Sequence, residues 1–267
     1  MLGSGPLLQH SITPIQWGFL MRLEGKVAIV TGGARHIGAA YAVKLVAEGA
    51  AVVVADVLDA EEVAKQIQRA GGEAMALKVD VSNEEETLRM AAETIKAFGR
   101  IDILVNNAAI FIALNRRPFY EITAEEWDRV SAVNIKGPFL CAKAVFPQMK
   151  QQRSGKIINI SSSTVFSGTP LFLHYVASKA ALVGITRSLA REVGEYNICV
   201  NAIAPGLVQH EGQNAPKEFT EFQLKARSIK RLETPEDLFG VLVYLASSDS
   251  DFVTGQTFLI DGGSIFY

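Results

Sequence analysis

The sequence predicts an α/β fold, a single domain built as a doubly wound parallel sheet of about seven strands. Three observations predict it. Short, continuously apolar runs alternate with amphipathic stretches from Lys26 to Gly263. Unbroken apolar runs suit strands covered on both faces, as in parallel sheets. No repeat, linker or change of composition divides the chain, and its 267 residues, 49% hydrophobic, can fill one large core.

The elements follow in order. "KVAIVTGG" is an apolar run ending in glycines, a buried first strand. "IGAAYAVKLVAEGA" has helical spacing and stops at Gly49, and "AVVVAD" is a second strand closed by Asp56. "DAEEVAKQIQRAGG" is a helix with a glycine stop, "EAMALKVDV" a third strand, and "NEEETLRMAAETIKAFG" a long amphipathic helix. "IDILVNNAA" supplies the fourth strand, and the 29 residues beginning "AEEWDRV" and ending "QMKQQ" read as one long helix. "GKIINISSS" is the fifth strand, "LHYVASKAALVGITRSLAREVG" a long helix and "ICVNAIAPG" the sixth strand. Residues 207–233 form an insertion before the last helix, "PEDLFGVLVYLASSD", and "QTFLIDGG" is the seventh strand.

Composition excludes several functions. Formal net charge is −2 and the basic residues are scattered, which argues against nucleic acid as a partner. Cys141 and Cys199 form no CxxC and read as buried thiols of a reducing compartment, so a cytoplasmic protein is expected. No apolar run reaches the roughly 20 residues of a membrane span. Residues 1–20 lack a basic n-region and a clear cleavage site, so they read as a loose N-terminal extension before a domain at 21–267. A docking arm carrying Trp17 is the alternative.

In a doubly wound sheet, ligands bind beyond the carboxyl ends of the strands. There "TGGARHIG" joins the first strand to the first helix, with Gly32, Arg35, His36, Ile37 and Gly38 at the turn. Backbone N–H groups at a helix N-terminus favour phosphate, and glycine permits close approach. Asp56 ends the second strand, where a carboxylate accepts hydrogen bonds from an adenosine ribose and repels a 2′-phosphate. That favours NAD over NADP. Arg35 argues the other way, since a guanidinium there could pair with a 2′-phosphate; a solvated turn residue is the bland reading. Asp80 and Val81 follow the third strand and are placed at the adenine edge, although Asp80 equally suits a helix N-terminal acid. Asn106, Asn107 and Ala108 close the fourth strand, where small residues let a cofactor lie across the sheet.

Tyr175 and Lys179, four apart in a helical segment, share a face. A tyrosine ordinarily titrates near ~10. A neighbouring ammonium lowers that value, as a general acid or base near neutral pH requires. Ser162, after the fifth strand, lies at the same sheet edge and can hold an alcohol or carbonyl oxygen. No histidine or cysteine spacing suggests a metal site.

These motifs together resemble the classical short-chain dehydrogenase/reductase family, over residues 22–263: TGGARHIG, Asp56, Asp80-Val81, NNAA, Asn134, Ser162, YVASK and PGLV at 205–208. The resemblance implies a Rossmann-like fold and reversible hydride transfer between an alcohol carbon and a nicotinamide cofactor. It implies Tyr175 as proton donor and acceptor and Lys179 as holder of the nicotinamide ribose. By the same resemblance Ser162 is expected to orient the substrate oxygen and Asn134 to support a water relay toward Lys179. It further implies that Pro205, Gly206 and Val208 border the nicotinamide and that the last helix and strand form a homotetramer interface.

Three departures stand out. His36 occupies a position where the family carries glycine. Ala109 replaces another glycine, and His210 a threonine. A non-glycine residue fits if its φ is negative, so His36 is expected to be tolerated with negative φ. Thr164, Phe111, Phe166 and His174 are expected beside Ser162 in the substrate pocket, with Leu171 near them. Phe219, Phe222 and Leu224 give the insertion an apolar, covering face. This suggests a hydrophobic, aromatic or cyclic alcohol or ketone, although the same residues equally suit mere loop packing. The alternatives are an NADP-dependent reductase of 3-oxoacyl thioesters and a non-catalytic nucleotide-binding subunit, the latter opposed by the intact Ser162–Tyr175–Lys179 set.

Overall fold

Strand β1 (Val27–Thr31) lies inside the sheet, where its apolar residues are covered on both faces. In the computed structural model, which describes residues 21–209, 221 and 224–266, every residue of β1 is buried. β2 (Ala51–Asp56) pairs with one edge of β1, and β4 (Ile103–Asn106) with the other. With β3 (Ala74–Lys78), β5 (Gly155–Ile160), β6 (Ile198–Pro205) and β7 (Thr257–Ile260) they form a seven-stranded sheet ordered β3-β2-β1-β4-β5-β6-β7. Every pairing is parallel.

Alternating side chains of these strands enter two cores. Ala28, Val30, Val52 and Val54 face α1 (His36–Ala47), α2 (Glu61–Arg69) and α8 (Phe239–Ala246). Ile29, Val53 and Leu104 face α3 (Glu84–Phe98), α5 (Gly137–Gln152) and α7 (Leu173–Val193). Cys141 and Cys199 are buried and free. The chain goes one way from β1 through β2 to β3, and the other way from β4 onward. That reversal opens a crevice at the carboxyl ends of β1 and β4.

The helix ends show their causes. Asn83 caps α3 by accepting from the N–H groups of Glu85 and Glu86 at 3.0 and 3.3 Å, and Gly99 ends it in the left-handed conformation. The stretch expected as one long helix is α4 (Ala124–Ser131), a π-helical turn (Ala132–Lys136) and α5. The π turn inserts a residue and so redirects a side chain; here it carries Asn134. A four-residue helix, α6 (Thr164–Ser167), follows β5.

Candidate active site

The crevice is a cleft of about 1020 Å³ along the carboxyl ends of the strands. At its first end, the β1–α1 turn is tied from three sides. Thr31 Oγ1 accepts from the N–H groups of Asn107 and Ala108 at 3.1 and 3.2 Å. Asn107 Nδ2 donates to the carbonyls of Thr31 and Gly32, both at 3.0 Å. A Cβ on Gly32 would lie 2.7 Å from Ala108 Cα, and one on Gly38 only 2.0 Å from the Gly32 carbonyl. These glycines are required first by backbone packing. Gly38 is buried behind the turn, whereas Gly32, Arg35, His36 and Ile37 line the cleft.

His36 departs from expectation. Its φ is +52°, not negative, because the turn keeps the left-handed geometry that glycine usually supplies. An L-residue there costs roughly 1–2 kcal/mol; histidine is among the side chains enriched in that region. The first turn of α1 has no acidic residue and no side-chain cap. Its positive end therefore faces the cleft with no acidic side chain of its own first turn on it.

Asp56 is buried at the end of β2. Its two oxygens accept from the N–H groups of Ala34 and Leu58, each at 2.9 Å. Each oxygen retains a lone pair for a further donor. Asp80 accepts from Ser82 N and Oγ at 2.9 and 2.7 Å. It does not cap α3, a task held by Asn83. Asp80, Val81, Asn107 and Ala108 line the cleft, while Asn106 is buried beneath it and donates to Asn159 Oδ1 at 2.9 Å.

Three strand positions away, Ser162, Tyr175 and Lys179 line the same cleft. The Ser162 side chain faces the Tyr175 hydroxyl and favours its ionised form, and Thr164 Oγ1 donates to Ser162 Oγ at 3.0 Å. Lys179 Nζ donates to the Ile160 carbonyl at 2.7 Å and lies 5.8 Å from the Tyr175 ring centre. The expected lowering of the Tyr175 pKa by this ammonium is not found. Burial pushes Tyr175 up to about 12, and the Ser162 side chain only partly opposes it. Burial also pulls Lys179 down to about 8, which weakens the charge that was to stabilise a phenolate.

Asn134 supports this group from behind. Its Nδ2 donates to Ser178 Oγ at 3.1 Å and to the Ile110 carbonyl at 3.2 Å, and its Oδ1 accepts from Ile110 N at 2.8 Å. Ser178 Oγ in turn donates to the Tyr175 carbonyl at 2.7 Å. Asn134 is buried and does not line the cleft.

The pocket wall differs from the sequence expectation. Phe111 and Thr164 line the cleft, but Phe166 and His174 do not. His174 turns away, buried, with Nε2 3.1 Å from Glu126 Oε1. Leu171 is half exposed and points elsewhere. Phe172 takes the expected place, its ring stacked on Tyr175 at 4.7 Å while Phe111 sits 5.1 Å from the same ring. The three-residue step from Phe172 to Tyr175 was the available signal, since i and i+3 neighbour one another on a helix.

Pro205, Gly206 and Val208 border the cleft after β6. Beneath Gly206 lies a charged-residue pair that sequence reasoning missed: Arg227 Nη2 is 3.6 Å from Glu233 Oε2, and both side chains are buried. Burial pushes Glu233 up to about 8, opposed by Arg227 and the Gly206 N–H. Leu224 is partly buried; His210, Phe219 and Phe222 lie outside the described residues, as do residues 1–20. Among the described residues no helix is long and apolar enough to cross a membrane, and no His/Cys/Asp/Glu group is placed to hold a metal.

Residues 32–264 match the family model described as enoyl-(acyl carrier protein) reductase. Galactitol 2-dehydrogenase of Agrobacterium fabrum is 40% identical, over 91% of this chain and 99% of its own. The (2S)-[(R)-hydroxy(phenyl)methyl]succinyl-CoA dehydrogenase subunit of Thauera aromatica is 38% identical, over 91% of this chain and 98% of its own. A crystal structure from Sinorhizobium meliloti 1021, described as a short-chain alcohol dehydrogenase, superposes with a TM-score of 0.86 at 34% identity, covering 92% of this chain and 98% of that one.

Proposed function

Because the chain belongs to the classical short-chain dehydrogenase/reductase family and is an NAD(P)-dependent oxidoreductase acting on CH–OH groups, we propose that it interconverts a secondary alcohol, aromatic or cyclic, and its carbonyl compound with NAD. One observation carries this reading: a single cleft joins the Asp56 carboxylate to the Ser162–Tyr175–Lys179 group. The residues suit a dinucleotide. The uncapped α1 N-terminus, with Gly32, Arg35, His36 and Ile37, would hold the pyrophosphate. Asp56 would take the adenosine ribose, and Asp80, Val81, Asn107 and Ala108 the adenine side. Pro205, Gly206, Val208 and Lys179 would border the nicotinamide. When bound, the cofactor supplies the hydride acceptor or donor.

The chain's own residues manage the proton and the oxygen. Ser162 holds the substrate oxygen beside the Tyr175 hydroxyl, both side chains lining the cleft. Tyr175, held protonated by burial, is set to donate to a carbonyl oxygen. In the oxidising direction it must first lose that proton, which burial opposes and the Ser162 side chain favours. Asn134 keeps the helical turn of Tyr175 in place through Ser178. Phe111, Phe172 and Pro170 make an apolar wall that suits a ring. The relative from Thauera carries a hydroxy(phenyl)methyl group in its name, in keeping with an aryl carbinol. We also place the protein in the cytoplasm as a homotetramer, with residues 21–267 as its domain.

A second reading, an NADP-dependent reductase of 3-oxoacyl thioesters, is favoured by Arg35 in the cleft and by the acyl-carrier description of the family model. Fluorescence titration with NADH and NADPH separates the two. Tighter NADH binding supports Asp56 as selector; NADPH preference promotes Arg35 and the thioester reading. A panel of secondary aryl alcohols follows, with Tyr175→Phe alongside. That variant should keep dinucleotide affinity and lose about 10²–10⁴-fold in turnover. A variant that turned over normally would remove Tyr175 from the mechanism.

A further inference from the structure

The helix that carries Tyr175 and Lys179 begins at an awkward place. Gly168 and Leu171 both have left-handed φ, +61° and +62°, and for leucine that conformation is strained. Phe172 is the N-cap of α7 and gives no side-chain cap. Yet this turn seats the Phe172 ring against Tyr175 and contributes Thr169, Pro170 and Phe172 to the cleft wall. Something outside the turn has to hold it.

Glu126 does so from α4. Thr123 caps α4 by accepting from Glu126 N at 3.1 Å, and glutamate at this spacing ordinarily reaches back to the cap residue's own N–H. Here the carboxylate is engaged elsewhere. Its Oε2 pairs with Arg117 Nη2 at 3.2 Å, and its Oε1 meets His174 Nε2 at 3.1 Å. A carboxylate only accepts, so Nε2 carries the hydrogen. His174 is the residue before Tyr175, and its ring packs edge-on against Phe172 at 5.8 Å. Arg117 closes the circuit, its backbone N–H donating to the Leu171 carbonyl at 2.9 Å. One carboxylate thus joins the loop after β4, helix α4 and the first turn of α7. The Glu126 and His174 side chains are only 12% and 1% exposed, so water competes little for these bonds.

We propose that Glu126 is a positioning residue for the oxidoreduction: through Arg117 and His174 it clamps the 168–172 turn, so that Phe172 stays stacked on Tyr175 and the substrate wall stays closed. The inference rests on the reading of Tyr175 as general acid/base. The charged and titratable groups that face the clamp are Arg117 and His174 on Glu126, Arg116, whose guanidinium lies 5.5 Å over the Phe172 ring, and Lys179, 5.8 Å from the Tyr175 ring centre.

The test uses Glu126→Ala, Glu126→Gln and, as a control on the same helix, the exposed Asp128→Ala. Hydrogen exchange reads the clamp without any turnover. In Glu126→Ala, amides of 168–178 and 111–118 should lose protection, about tenfold or more, while 27–47 stay unchanged. Glu126→Gln keeps one acceptor and should fall between, which covers the case of an alanine variant that folds poorly. Kinetics then read the consequence. Turnover should drop about tenfold, and the pH midpoint of kcat/KM should move by about half a unit or more, with dinucleotide affinity within about twofold. Asp128→Ala should match the parent in every assay. Exchange that is unchanged or uniformly faster overturns the clamp. Local loosening with an unmoved pH profile reduces Glu126 to a structural role and overturns the positioning claim. A parent protein that binds dinucleotide and oxidises no alcohol sinks the functional reading instead, and the exchange arm still decides the clamp.

Discussion

Replacing Gly38 by alanine should damage the cleft more than any change of its size elsewhere in α1. The added Cβ would stand 2.0 Å from the Gly32 carbonyl oxygen and 2.6 Å from Asn107 Nδ2. An ordinary contact of this kind is about 3.4 Å, so the turn and helix must separate by more than about 1 Å. The nearest atom is backbone, and the turn that carries it is pinned by both Asn107 bonds at 3.0 Å. Rotating a side chain cannot relieve the clash. Overpacking of this kind costs about 1–3 kcal/mol. Displacing the α1 N-terminus by about 1 Å should weaken dinucleotide binding by at least tenfold, or about 1.4 kcal/mol. Urea denaturation gives the first quantity, read as a lower midpoint at unchanged slope. NADH fluorescence titration gives the second. A Gly38→Ala protein with stability within about 0.5 kcal/mol of the parent and unchanged affinity would refute the argument that α1 abuts this turn without slack.

Three further outcomes are expected. Tyr175 sits at about 12, so alcohol oxidation, which needs it deprotonated, should quicken as pH rises from 7 toward 10, and carbonyl reduction should not; parallel profiles in both directions would contradict this. Glu233 is raised from 4.5 to about 8, so the folded state keeps a proton that the unfolded chain releases. Its contribution to stability is complete below pH 4.5 and is lost as pH climbs through about 8, and Glu233→Gln should flatten that fall in urea midpoints measured from pH 5 to 8.5. At His36, with φ of +52°, glycine should exceed alanine in stability by about 1 kcal/mol, since alanine keeps the left-handed penalty and glycine does not; equal midpoints would mean the turn can relax.

The seven strands and their burial on both faces follow from patterns visible along the chain. Ala28, Ile29 and Val30, like Val52, Val53 and Val54, are all apolar, so the order of the strands and the division of their side chains between two helix layers came only with the fold. Asp56, Ser162, Tyr175 and Lys179 were legible because their chemistry is local: a residue type at a strand end, or two residues four apart on a helix. The contacts set by long-range packing were not. Asn107 reads as a cofactor contact, yet its amide is bonded to the β1–α1 turn across the sheet. Asn134 reaches Ser178 through a π turn that no periodicity announces.

Read alone, the sequence determined the doubly wound sheet, the cleft at its carboxyl edge and the residue types that meet there, because burial period and strand-end chemistry depend on neighbours a few positions away. Tertiary structure alone decided the sign of φ at His36, the turning of His174 from the cleft to Glu126, the stacking of Phe172 on Tyr175 and the burial of Arg227 with Glu233 beneath Gly206. A dihedral, a ring stack and a shifted pKa answer to atoms brought close by the fold, and those atoms are far apart along the chain.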